Sequence, residues 1–170
     1  MNLHIDHKIE GFIKKTRLPQ LDLAVWDDGT QYQASYGVDK NSNVDVFEIG
    51  SVGKTFTATL LAILAKKGVV DINDKIGKFY PNLPIVKDIT LKQLVTHTSG
   101  LPSDPIKTMS FSYSKFVSSV LTFTKPEIHE FLSDIKKPLK TGKFGYSNLG
   151  MALLGNILAK CQGATYEETV

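Results

Sequence analysis

The sequence predicts an α+β fold in which an N-terminal β-hairpin precedes a helical region. Three observations carry this. Leu21, Leu23 and Val25 alternate with Asp22, Ala24 and Trp26, Asp28-Gly29 marks a turn, and Tyr32, Ala34 and Tyr36 resume the alternation, which is the pattern of two antiparallel strands joined by a tight turn. Between Phe47 and Gly68, the apolar residues Val52, Phe56, Leu60, Leu61, Ile63 and Leu64 wrap nearly all the way round a helical cylinder, predicting a helix buried on most sides. Met151, Leu153, Leu154, Ile157 and Leu158 predict a second buried helix near the end of the chain.

Taken in order, Leu3 to Lys15 fits a short amphipathic helix with Leu3, Ile5, Ile9, Phe12 and Ile13 facing a core, closed by Pro19. The hairpin follows, and a polar, turn-rich connection from Gly37 to Asn43 leads to an apolar stretch ending at Ile49. The central helix ends legibly: Lys66 and Lys67 sit where a helix C-terminus favours cations, and Gly68 can take the left-handed cap. Next comes a loop-rich segment with Asp71, Asn73 and Asp74, which lacks the glycine and closing glutamate of a calcium loop. These residues read as turn and cap residues, and no metal is assigned. Thr90 caps a helix through Leu91, Leu94 and Val95 that ends in the turn Thr96 to Pro102. Residues 103–125 show no clean period and read either as a flap or as a helical insertion over a cleft. A helix is expected from Pro126 to Ile135, and a loop bracketed by Pro138 and Gly142 leads into the last buried helix. Thr165 and Glu168 form a capping box opening one more helix, yet the chain stops at Val170, so the sequence reads as cut.

Apolar residues make up 42% and charged residues 22%, a balance that indicates neither disorder nor a membrane span. The 20 basic and 17 acidic residues are spread along the chain, so the net charge of +3 gives no case for nucleic acid. The single cysteine, Cys161, excludes a disulfide framework and a cysteine-rich metal site, and reads as a buried thiol. The N-terminus has no apolar run of signal-peptide length. Localisation is therefore open: cytoplasmic for a native chain, periplasmic or secreted for one trimmed from a longer precursor. With 170 residues the chain forms one domain or part of a larger one.

Ser51 and Lys54 stand three residues apart at the start of the central helix, so both leave one face about a turn from each other. That suits a serine nucleophile with a lysine base, against the plainer reading of Ser51 as a helix cap. A lysine acts as a base only if its pKa falls. The helix dipole supplies ~0.3–1 kcal/mol against the ~1.4 kcal/mol of one pKa unit, so burial or a further cation must supply the rest. The run Gly50-Ser51-Val52-Gly53-Lys54-Thr55 superficially suggests a phosphate loop, but the glycine required five positions before Gly53 is Glu48. His97, at a helix end beside a glycine turn, reads as a satisfied structural histidine in preference to a base.

Two motifs combine: Ser51-Val52-Gly53-Lys54, and Tyr146-Ser147-Asn148 opening the later buried helix. Together they resemble the serine β-lactamase and penicillin-binding protein superfamily, most of all its class C β-lactamase, D-alanyl-D-alanine carboxypeptidase and esterase branch. The turn from His97 to Pro102 and the Leu153-Leu154-Gly155 run look like that branch too. The resemblance implies a β-lactamase/transpeptidase-like fold, with Ser51 as acylated nucleophile and Lys54 as its proton acceptor or the group that holds the base. Tyr146 would be the partner base and acid, and Asn148 would bond both Lys54 and the substrate amide. It implies a β-lactam, a D-Ala-D-Ala-type peptide or an ester as substrate, and no cofactor. In the family, a downstream strand carries a Lys/His-x-Gly motif and the second oxyanion donor, and nothing after Asn148 supplies it. Lys140-Thr141-Gly142 precedes the tyrosine motif on a loop and reads as coincidence. The expectation is thus a partial domain over 1–170, its hairpin belonging to an antiparallel sheet whose C-terminal strands are absent. Either a fragment, or half of a split enzyme completed by a second chain, or a catalytically incomplete binding module fits that expectation.

Overall fold

The computed structural model describes residues 2–16, 20–37, 49–103, 125–136 and 139–170. The expected flap or insertion over 103–125 falls, apart from its two ends, outside the described residues. Two compact units divide the chain, Met1–Glu48 and Ile49–Val170.

The first unit holds helix α1 (Asn2–Thr16) and the strands β1 (Gln20–Asp27) and β2 (Thr30–Gly37). The strands pair antiparallel with Leu21 opposite Tyr36, Leu23 opposite Ala34 and Val25 opposite Tyr32. The alternating apolar set therefore shares one face of the hairpin and is half-buried. Asp28 and Gly29 both take positive φ, 42° and 79°, the backbone that a two-residue turn needs to match the strand twist. Helix α1 packs on β2, but Phe12, expected to face a core, is 48% exposed. A two-stranded sheet covers only a narrow strip of a helix, and the i, i+4 pair Ile9 and Ile13, on one side of α1, is half-buried.

The second unit is helical and is centred on its longest helix. A 3-10 turn (Gly50–Val52) feeds α2 (Gly53–Lys66), followed by α3 (Ile76–Phe79), α4 (Leu91–Val95), α5 (Lys125–Asp134), α6 (Asn148–Gln162) and α7 (Tyr166–Thr169). Helices α2, α4, α5 and α7 all dock on α6. Its Leu154, Ile157 and Leu158 are fully buried, as the apolar pattern predicts, and its ends are closed by Ser147 and by Gly163 at φ 65°. Gly155 gives α7 its seat, because a Cβ there would lie 3.1 Å from the Tyr166 ring. From that seat the Tyr166 hydroxyl reaches Thr57 Oγ1 on α2 at 2.6 Å.

Helix α2 departs from expectation. Thr57, Leu60, Leu61 and Leu64 are buried, but Val52, Phe56 and Ile63 are 58, 51 and 45% exposed. The helix is covered on one side, where α6 and α7 lie, and not on most sides. Phe56 and Ile63 instead line an open groove of about 580 Å³ with Lys67, Ala164 and Val170. The loop after α2 behaves as read: Asp71 Oδ1 accepts from the Asn73 N–H, and Asp74 Oδ2 accepts from the Asp71 N–H and from Lys78 Nζ. Thr90 caps α4 in a full capping box with Gln93, and Thr165 does the same for α7 with Glu168. Cys161, expected buried, is half-buried, and that burial pushes its thiol pKa up. No helix among the described residues is long and apolar enough to cross a membrane.

Candidate active site

Ser51 sits on the 3-10 turn and Lys54 in the first turn of α2, so the short spacing already aims both side chains the same way. Lys54 Nζ donates to Ser51 Oγ at 3.1 Å. Ser51 is the N-cap residue of neither helical segment, those places being taken by Ile49 and Val52, and its oxygen is bonded to the lysine and to a residue 95 positions away. Tyr146 donates its hydroxyl to the same Ser51 Oγ at 2.7 Å, and Lys54 Nζ lies 5.0 Å from the centroid of the Tyr146 ring. Asn148, the first residue of α6, lines with Lys54 and Gly50 an adjoining cleft of about 370 Å³. Ser51, Lys54 and Tyr146 are thus in direct contact, and Asn148 shares with Lys54 the lining of the cleft beside them.

Tyr146 stands on a loop, and that loop is sewn to the turn after α4. Gly142 N–H donates to Thr98 O, Gly145 N–H to His97 O and Leu149 N–H to Ser103 O, at 2.8–3.0 Å. Ser147 is fully buried, with its hydroxyl donating to Pro102 O at 2.6 Å and accepting from Gly150 N–H at 2.8 Å. The turn fits this closely because residue 100 is glycine: at φ 75° a Cβ there would lie 2.7 Å from Lys140 O. Lys140-Thr141-Gly142 is therefore part of this seam.

His97 has φ 56°, and its Nδ1 accepts from the Ser147 N–H at 3.1 Å. The imidazole lies against the Tyr146 ring at 4.6 Å. Burial, and then the charge of Lys54, hold its pKa below the ordinary histidine value. It is bonded as the structural histidine that the sequence favoured. The roles of Ser147 as a seam residue and of Tyr166 as a tie between α7 and α2 were not read from the sequence. A serine opening a buried helix was the available signal for the first; the second had none.

Chemically, a serine oxygen met by an amine and a phenol can lose its proton to either, provided the amine is neutral or the phenol ionised. N–H groups at a helix start that lack an intrahelical partner can donate to an oxyanion; on the turn carrying Ser51 the Val52 N–H is already bonded to Ile49 O at 3.2 Å and the Gly53 N–H to Gly50 O.

The sequence profile of the Beta-lactamase family matches residues 5–170. A beta-lactamase of Providencia stuartii is 30% identical over 165 residues, covering 92% of this chain and 40% of the relative. Among solved structures, a class C beta-lactamase in complex with cefoxitin superimposes with a TM-score of 0.72 at 26% identity, covering 96% of this chain and 45% of that one. A D-alanine carboxypeptidase from Burkholderia cenocepacia does so with a TM-score of 0.64 at 28% identity, covering 94% and 43%. The chain spans less than half the length of these relatives. Within that span the helices and the hairpin follow the β-lactamase/transpeptidase fold, and the profile takes in almost every residue: the chain belongs to the beta-lactamase family.

Proposed function

We propose that this chain carries the nucleophile-bearing part of a serine hydrolase that works through an acyl-serine on Ser51. The reading rests on one observation above others, the convergence of Lys54 Nζ and Tyr146 OH on Ser51 Oγ at 3.1 and 2.7 Å. In the acylation step Ser51 Oγ bonds to the substrate carbonyl carbon and its proton passes to Lys54 or Tyr146. The C–N or C–O bond of the leaving group then breaks as that proton is handed to it, and water later cleaves the ester. Asn148 is assigned to the substrate amide and to holding Lys54. A β-lactam, a D-Ala-D-Ala-type peptide and a simple ester all satisfy this chemistry, and the names of the relatives favour the first two.

The test is the intact mass of the chain after a fluorescent penicillin and, separately, a fluorophosphonate. An adduct on the wild type that is missing from Ser51→Ala is the expected result. A folded chain that takes up neither reagent would sink the acyl-serine reading.

A second reading is a binding module, or half of a split enzyme completed by a second chain. The exposed apolar face of α2 and the two-stranded sheet favour it, since such sheets are marginal alone. Residues 1–170 would then be a partial domain. Penicillin retained reversibly, with no mass gain, is the outcome that selects it.

A further inference from the structure

A backbone N–H can only donate, so the nitrogen that accepts from it must carry a lone pair. Ser147 N–H donates to His97 Nδ1, which makes His97 neutral, with its proton on Nε2. The same residue holds the Tyr146 loop in two further places. Its carbonyl accepts from Gly145 N–H at 2.8 Å, and its ring lies on the Tyr146 ring at 4.6 Å with the planes 32° apart. The Phe144–Gly145 peptide, the tyrosine ring and the Tyr146–Ser147 peptide are thus all held by one side chain and its main chain. His97 adopts left-handed backbone, which residues with a Cβ rarely take and which persists only where neighbours over-determine it. Among the described residues, the side chains bonded to Ser51 Oγ are those of Lys54 and Tyr146; His97 stands behind the tyrosine.

We propose that His97 is a positioning residue for Tyr146, and that its protonation releases the tyrosine and shuts the serine site down in acid. This rests on the acyl-serine reading for its effect on rate, but not for its effect on Tyr146. A proton on Nδ1 would set two N–H groups against each other, and the buried Ser147 N–H would lose its acceptor. Among the described residues, the titratable groups facing the imidazole are Lys54, from α2, and Tyr146 itself; Phe144, which meets it edge-on at 6.0 Å, carries no charge. The sign follows. Burial and Lys54 lower the folded pKa, so the stabilisation from neutral His97 is complete above the unfolded value and lost as pH falls through the lower folded one.

The variants that test this are His97→Asn and His97→Ala. Asparagine tolerates left-handed backbone and places an acceptor oxygen near the Nδ1 position but does not titrate; alanine supplies no acceptor. Nitrogen NMR of the wild type should show the Nε2–H tautomer at pH 7, with a pKa below the ordinary histidine value. The Tyr146 ring carbon bearing the hydroxyl should shift as His97 titrates, and should be blind to that pH range in His97→Asn. Ser51 labelling by fluorophosphonate should fall about ten- to a hundredfold in His97→Ala. In His97→Asn it should recover above the alanine variant and lack the acid limb due to His97. An Nδ1–H tautomer, or a Tyr146 signal that ignores His97's titration in the wild type, overturns the proposal whatever the labelling shows. Wild-type protein that resists labelling but whose Tyr146 follows His97 sinks the acyl-serine reading alone.

Discussion

Two tasks open to Lys54 call for different protonation states. As an ammonium it is attracted to the face of the Tyr146 ring, whose centroid lies 5.0 Å from Nζ. To take the serine proton it must be a free amine. A tyrosine on the same oxygen resolves the conflict if Lys54 stays charged and lowers the energy of the phenolate, which then receives the proton. Tyr146→Phe separates the two roles, keeping the ring against His97 and under Lys54 but removing the hydroxyl. Ser51 labelling should fall about 10²–10⁴-fold with the fold intact, and a rate within about twofold of wild type would leave Lys54 as sole acceptor. Ser51 and Lys54 were legible in the sequence because their relation is local, set by a helix turn. The bond that joins Ser147 to His97 was not, since a link across 50 residues leaves no periodic trace.

Among the elements, α6 does most to place the site. It presents Asn148 at its first residue, fixes the approach of Tyr146 two positions earlier, and anchors the unit through its buried leucines. Ser147 is where the helix and the seam meet, so Ser147→Ala removes the cap on Gly150 N–H and the bond to Pro102 O together. A loss of about 2–3 kcal/mol is expected in urea at unchanged slope, and one below about 0.5 kcal/mol would remove the seam from the account. The hairpin, α6 and the capped starts of α4 and α7 were readable because alternation, helical period and capping boxes are short-range patterns. The burial of α2 was misjudged for the complementary reason. Its pattern says which residues prefer cover, whereas cover depends on what is packed beside it, and here α6 and α7 reach one side.

At the scale of the whole molecule, the chain combines a well-filled helical core with apolar residues left in the open. Phe56 and Ile63 sit at the mouth of a groove, and Trp26 on the hairpin is 71% exposed. A dye that fluoresces on apolar surfaces should therefore bind the folded chain, and Phe56→Ser with Ile63→Ser should weaken that binding. Each change should move stability by no more than about 0.5 kcal/mol, as exposed sites do. A loss above about 1 kcal/mol at either position would mean that the face is covered in solution. The bond from Tyr146 to Ser51 joins residues 95 apart in sequence and forms only while α2 and α6 are docked. On the acyl-serine reading, Ser51 is therefore a built-in gauge of tertiary order: the yield of a brief labelling pulse, followed up a temperature ramp, should drop when the core loosens, even while far-ultraviolet ellipticity still reports intact helices.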